Sequence, residues 1–188
     1  MSGHPEDRAV DGLAERDHYD RLAAAYDENW SHSPDFLAWM KGQIQQRLRI
    51  TSDEVAADIG CGTGLFTRGL ARLLRPGGRM LVVMLPAQIS YPLFEAALQL
   101  FEERQPDPAD VVGEMRSAGL AAEVTYDGFP LSFPAGRYLE MVRNRYMPLL
   151  SAFDDAQLEA GIAEIQRAHP GGQLTFTDTF AFVLGTAV

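Results

Sequence analysis

The chain of 188 residues carries 26 acidic and 16 basic side chains, which gives a formal net charge of -10. This charge repels phosphate backbones and anionic membrane surfaces, so neither nucleic acid nor membrane is an expected partner. With 46% hydrophobic residues, the composition is that of one globular domain. The sequence contains one cysteine and no apolar stretch of signal-peptide or transmembrane length, which predicts a cytoplasmic protein.

The N-terminal third predicts an arm followed by helices. Residues 1–16 are rich in charge and poor in large apolar side chains, which predicts a disordered arm, and we expect one domain over residues 17–188. Apolar residues recur at helical spacing from Asp17, and a second amphipathic run extends from Phe36 to Leu48. Two helices are therefore expected before the first strand.

A βαβ unit is predicted in the middle of the chain. Residues 55–59 form a short apolar run that ends in a glycine cluster, and residues 65–74 restore helical periodicity. The sequence RPGG at 75–78 ends that helix. Residues 79–85 are apolar after the first, as expected for a parallel strand covered on both faces.

Further helices are predicted in the C-terminal half. Apolar spacing indicates helices over 92–103, 109–118 and 136–147, the second of them closed by Gly119. Asp154 is expected to cap another helix, with a capping-box glutamine three residues later.

Two strands complete the C-terminal half. The pattern of residues 122–126 predicts a strand, and residues 127–129 are predicted to form the turn that ends it. From Leu174 to Leu184 large apolar side chains alternate with threonine and small residues, which predicts a terminal strand.

The glycine cluster is the segment most suggestive of chemistry. In DIGCGTG, residues 58–64, Gly60, Gly62 and Gly64 lie between a predicted buried strand and a helix. Such a turn lets the backbone approach a ligand closely and directs free N–H groups toward an anionic group. Many strand-to-helix turns need glycine for steric reasons alone, so the pattern by itself leaves both interpretations open.

DIGCGTG resembles the first motif of the class I S-adenosylmethionine (SAM) dependent methyltransferases, and other segments resemble that family in the same order. HYDRLAAAYDENW is similar to the helical segment that covers the cofactor. ARLLRPGGRMLVV is similar to the helix, turn and strand that follow the family's fourth strand, and FTDTFAFVLGTAV to its last strand. The resemblance covers most of the chain after residue 17.

The resemblance implies an α/β fold: a reduced Rossmann-like methyltransferase sheet with flanking helices, with a parallel core and a C-terminal antiparallel strand. It implies that the glycines pass under the methionine moiety of SAM, that Asp58 organises the loop and contacts the amino group, and that Tyr26 covers the sulfonium. The implied cofactor-binding residues are Tyr26, Asp58, Gly60, Cys61, Gly62 and Gly64.

The sequence departs from the family where a second strand should end in a ribose-binding acidic residue, about 20 residues after the glycine loop. Met84 occupies that position, and MLVVMLPAQ around it contains no Asp or Glu. The second to fourth strands are therefore expected to be missing. Losing two charge-assisted hydrogen bonds of about 1.5–3 kcal/mol each would weaken a micromolar SAM site toward millimolar, so SAM binding itself is in question.

Substrate-side candidates are few. Arg143 and Arg145 lie on a helix that resembles the family's substrate-facing insertion, where one of them either binds an acidic substrate group or pairs with a nearby carboxylate. His18 flanks the Tyr26 helix and is a weak candidate. Cys61 has no basic neighbour in sequence that would activate its thiol, and no Cys/His cluster has metal-ligand spacing.

Three functions follow from these patterns. The first is a shortened SAM-dependent methyltransferase acting on a small molecule. The second is a methyltransferase-like protein that no longer methylates and acts as a binding or assembly partner. The third is an enzyme that uses the same pocket for another reaction.

Without the missing strands, residues 55–59 would have an unpaired strand edge, which predicts a homodimer or a partner chain at that edge. Size-exclusion chromatography with light scattering should therefore give the mass of a dimer for the isolated chain. A monodisperse monomer at high concentration would be incompatible with self-pairing at this edge.

Overall fold

The structure is a computed structural model that describes residues 33–49 and 77–188. The predicted N-terminal arm, the first helix, the strand at 55–59, the glycine loop and the helix after it lie outside the described residues. The elements, in chain order, are α1 (Pro34–Leu48), β1 (Arg79–Met84), α2 (Glu95–Arg104), α3 (Pro108–Ser117), β2 (Leu120–Pro134), α4 (Ala135–Arg143), a 3₁₀ helix (Pro148–Ala152), α5 (Asp155–Ala168) and β3 (Gln173–Ala187).

The described strands form a mixed α/β arrangement around an antiparallel sheet in the order β1-β3-β2. β1 pairs antiparallel with β3, in a register that runs from Arg79 opposite Thr186 to Met84 opposite Ala181. Just before β1 begins, the Gly77 amide donates to the Ala187 carbonyl over 2.9 Å. The predicted C-terminal antiparallel strand is confirmed, and it lies in the middle of the described sheet.

The two faces of β3 are covered by different helices, because successive side chains of a strand point to opposite faces. Phe182 faces α1, where its ring lies 6.5 Å from that of Trp39. Val183 belongs instead to a core cluster with Met115 of α3 and Leu120 of β2. The middle strand is consequently buried on both sides.

The chain divides into two compact units, whose described parts are residues 34–49, 77–91, 98–131 and 175–188 in one and residues 33, 92–97 and 132–174 in the other. The first contains α1, β1, α3 and most of the sheet. In the second, the ring of Phe94 packs edge-on against that of Phe153 at 4.9 Å. A single domain over 17–188 stays a prediction.

Several helix ends agree with the sequence interpretation. α3 is followed by Gly119 in the left-handed region, with φ of 90°. Asp154 caps α5 through a capping box with Gln157. The helix predicted over 136–147 is shorter: α4 ends at Arg143, since Arg145 adopts a positive φ of 53°, which a continuing helix does not allow.

The prediction of a turn at residues 127–129 is wrong. β2 continues through them to Pro134, and Gly128 lies where a Cβ atom would collide with the side chain of Thr177 on β3. Glycine here permits close approach of neighbouring strands rather than a reversal of the chain. Phe129 contributes to the sheet face covered by α1, where its ring lies 5.3 Å from that of Phe36.

The packing of α5 gives a stability prediction. A Cβ atom on Gly161 would lie 2.5 Å from Cγ of Phe94, whose ring is 3% exposed. Gly161→Ala should lower the free energy of unfolding by about 1–3 kcal/mol because the ring cannot move without disturbing its neighbours. Gly113→Ala, in α3 with open space around the new methyl group, should raise it by up to about 1 kcal/mol. Urea denaturation of both variants measures the difference, and equal effects would contradict the packing.

Candidate functional site

A buried polar pair lies just beyond the carboxyl end of β1. Because Met84 is opposite Ala181, the chain leaving β1 runs beside the part of β3 that precedes Ala181. Segment 85–91, which has no helix or strand, ends at Tyr91, and Tyr91 meets Asp178 of β3. Buried ionisable groups are concentrated at functional sites, so this position is a candidate site.

The pair is joined by a short hydrogen bond. The Tyr91 hydroxyl donates to Oδ1 of Asp178 over 2.5 Å, and each residue is only 4% exposed. One residue earlier, the Ser90 hydroxyl donates to the Thr177 carbonyl over 3.1 Å. These two bonds attach the end of segment 85–91 to β3.

The Asp178 carboxyl is held in an environment that disfavours its charge. Burial raises its pKa from 3.8 to about 6, and the hydrogen bond from Tyr91 opposes this effect. Among the described residues, the ion pairs do not include Asp178, and Tyr91 is the side chain that donates to its carboxyl. Near neutral pH the site can therefore hold a buried negative charge or a proton.

Aromatic rings line the same face of the sheet. The ring of Phe176, two residues before Asp178, lies 5.1 Å from that of Tyr91. Phe180, two residues after it, lies 6.0 Å from both Phe36 and Trp39 of α1. Asp178 is thus the one ionisable side chain in a run of phenylalanines that extends along this face of β3 from Phe176.

A cation already occupies the far end of this aromatic face. The guanidinium carbon of Arg47, from α1, lies 3.9 Å from the ring centroid of Phe182, a distance typical of a cation–π contact. Arg47 also forms an ion pair with Asp127 and donates to the Thr125 hydroxyl over 3.2 Å. Its charge is therefore already compensated by β2.

The cofactor-binding residues implied by the resemblance all lie outside the described residues. They are Tyr26, Asp58, Gly60, Cys61, Gly62 and Gly64. The weak substrate candidate His18 lies outside the described residues as well. Their roles stay predictions.

The two candidate arginines are described, and both pair with carboxylates. Arg143 donates from Nε to Glu159 over 2.6 Å, and this hydrogen bond raises the pKa of the arginine and lowers that of Glu159. Arg145 donates to Asp155 over 2.7 Å and to the Phe153 carbonyl over 3.1 Å. These contacts favour the alternative in which the arginines pair with nearby carboxylates.

The ribose-binding half of a SAM site does not fit the described residues around β1. Met84 ends the strand, and no acidic residue occurs between Arg79 and Phe94. Two carboxylates of the described residues near this end of the sheet are already engaged, Glu102 by Gln88 and Asp178 by Tyr91.

Asp178 was not among the predicted site residues, although the sequence contains a signal for it. In FTDTF the aspartate shares its face with Phe176 and Phe180, two residues away on either side, so it occupies the apolar face of its strand. A charged residue at a position that pattern assigns to the core needs a partner or a function. Its partner, Tyr91, is 87 residues away in sequence, beyond the reach of local pattern analysis.

No protein-family model matches the sequence, and no curated protein is significantly similar to it. Among the described residues, no helix is long and apolar enough to cross a membrane. The same residues contain no group of histidine, cysteine or acidic side chains arranged to hold a metal ion.

The raised pKa of Asp178 predicts how stability depends on pH. The pKa of Asp178 is about 6 in the folded protein and 3.8 without burial, so the folded protein holds the proton of this carboxyl more tightly than the unfolded chain does. The stability that the bound proton contributes is fully present below about pH 4 and is lost as the pH rises through 6. Asp178→Asn keeps an acceptor for Tyr91 without the charge. It should be more stable than the wild type by about 1–3 kcal/mol at about pH 8, with a smaller difference at about pH 4.

Urea denaturation at both pH values measures this difference. Glu123→Gln removes one negative charge from an exposed position on β2 and should change stability by no more than about 0.5 kcal/mol. A less stable Asp178→Asn variant at both pH values would show that the carboxylate is compensated in the folded protein.

Proposed function

We propose that the protein is a shortened class I SAM-dependent methyltransferase that acts on a small molecule. The observation that carries this proposal is the order of the family-like segments: DIGCGTG at 58–64, then LRPGG at 74–78, then the C-terminal strand. Each segment alone is weakly specific, and their combination in this order is much more so.

The described sheet supports the proposal in two respects. Gly77, the third residue of RPGG, has a φ of 78°, and β1 begins two residues later at Arg79. The C-terminal strand is antiparallel to β1, as the resemblance implies. The finer part of the proposal is a parallel core, in which residues 55–59 would pair with the edge of β1 that β3 leaves open.

This pairing would place the glycine loop and the pair of Tyr91 and Asp178 at the same end of the sheet. If residues 55–59 run parallel to β1, the glycine loop follows at the carboxyl end of the sheet, which is also where Tyr91 and Asp178 meet. SAM would supply a methyl group already activated by positively charged sulfur. The chain itself would have to align the acceptor and exclude water, and these two effects can supply most of the catalysis.

The lack of a ribose-binding carboxylate after β1 favours a second candidate function. A methyltransferase-like protein that does not methylate, and instead binds or assembles with a partner, needs the fold but not the cofactor. The described residues show no acidic side chain from Arg79 to Phe94, which is compatible with that role. Use of the pocket for another reaction is a third possibility that no residue favours.

Calorimetric titration with SAM and with S-adenosylhomocysteine separates these functions. For the methyltransferase we expect binding in the high micromolar to millimolar range, weak because the ribose contacts are missing. Gly62→Val should abolish it, since a side chain in the loop blocks the approach of the ligand to the backbone.

The control for this variant is Gly136→Ala, in α4, where a Cβ atom meets open space. It should bind like the wild type. No binding of either ligand at millimolar concentration would remove the methyltransferase proposal, and unchanged affinity in Gly62→Val would mean that the glycine loop is not the site.

A further inference from the structure

Asp178 carries a charge that its surroundings do not require. The hydrogen bond from Tyr91 needs an acceptor oxygen, and the amide oxygen of an asparagine would provide one without burying a charge. A buried carboxylate without a compensating cation costs stability. Residues that cost stability without a structural return are concentrated at functional sites.

The chemistry around Asp178 favours one class of ligand. The carboxyl is flanked along β3 by Phe176 and Phe180, and the Tyr91 ring packs on that of Phe176. A carboxylate attracts a cation directly, and aromatic faces attract it through their quadrupole. The position of Arg47 over Phe182 shows a cation bound on the same face of the sheet.

We propose that Asp178 and the aromatic rings beside it bind an organic ammonium group, a primary or substituted amine, at the carboxyl end of β1. The ammonium group donates to the carboxylate and packs on the rings of Phe176 and Phe180. The net charge of -10 attracts such a ligand from a distance. That the amine is also the methyl acceptor rests on the proposed function, whereas its binding does not.

Access to the carboxyl requires segment 85–91 to move, because Asp178 is 4% exposed. The segment lies outside the helices and strands and is attached by side-chain bonds. Gln105 donates to the Leu85 carbonyl over 2.7 Å, Gln88 to Glu102 over 2.7 Å, and Ser90 to the Thr177 carbonyl over 3.1 Å. Tyr91, at the end of the segment, adds its hydrogen bond to Asp178 over 2.5 Å. The proposal requires these individual side-chain bonds to open while the sheet stays folded, a local opening that costs less than global unfolding.

Calorimetric titration of the whole chain with benzylammonium and with benzyl alcohol, at about pH 8 and without SAM, tests the proposal. The two probes have nearly the same shape and differ in charge. We expect benzylammonium to bind at least about tenfold more tightly, since a charge-assisted hydrogen bond adds to the stacking. Equal affinities, or no binding of the amine at about 10 mM, would overturn the proposal.

Two variants locate the site. Asp178→Asn, which keeps the acceptor for Tyr91 and should fold stably, is expected to bind benzylammonium no more tightly than benzyl alcohol. Glu123→Gln loses the same charge at an exposed position and should bind as the wild type does. Unchanged amine affinity in Asp178→Asn would place the amine elsewhere. Because SAM takes no part in these titrations, their failure is distinct from failure of the cofactor titration.

Discussion

The pairing of β3 with both of its neighbours is the constraint on which the described sheet and the helices that cover it depend. β1 and β2 are brought together by β3, whose two faces receive α1 and α3. Gly185 shows how tight this arrangement is, since a Cβ atom there would come within 2.7 Å of Leu120. The same Cβ atom would lie 3.0 Å from the sulfur of Met115, so a side chain at this position would press on both β2 and α3.

The same burial that stabilises β3 gives Asp178 its properties. Apolar side chains gain free energy when they lose contact with water, whereas a carboxylate in the same place loses its hydration and recovers only part of it from Tyr91. The aspartate and the phenylalanines on this face therefore contribute to stability with opposite signs. A local conflict of this kind, in a strand that otherwise follows its pattern closely, is expected where a protein contacts a ligand.

Local patterns predicted much of the described fold. The spacing around Phe36 predicted α1, the Asp154 capping box predicted the start of α5, and alternation predicted β3, because each depends on neighbouring residues. Gly128 was misread, since turns and close strand contacts both favour glycine and only Thr177, across the sheet, distinguishes them. The pair of Tyr91 and Asp178 was missed because it depends on strand register, which local sequence does not encode.

The order of the strands also constrains how the protein is made. Arg47 and its partner Asp127 are 80 residues apart, and the rings that α1 covers, Phe180 and Phe182, are synthesised later still. During synthesis the aromatic side of α1 therefore stays exposed until these rings are made. Until then β1 and β2 also lack the strand that joins them. Exposed apolar surface and unpaired strand edges are what chaperones and other nascent chains recognise. A chain interrupted before residue 173 would lack the strand that lies between β1 and β2 in the described sheet.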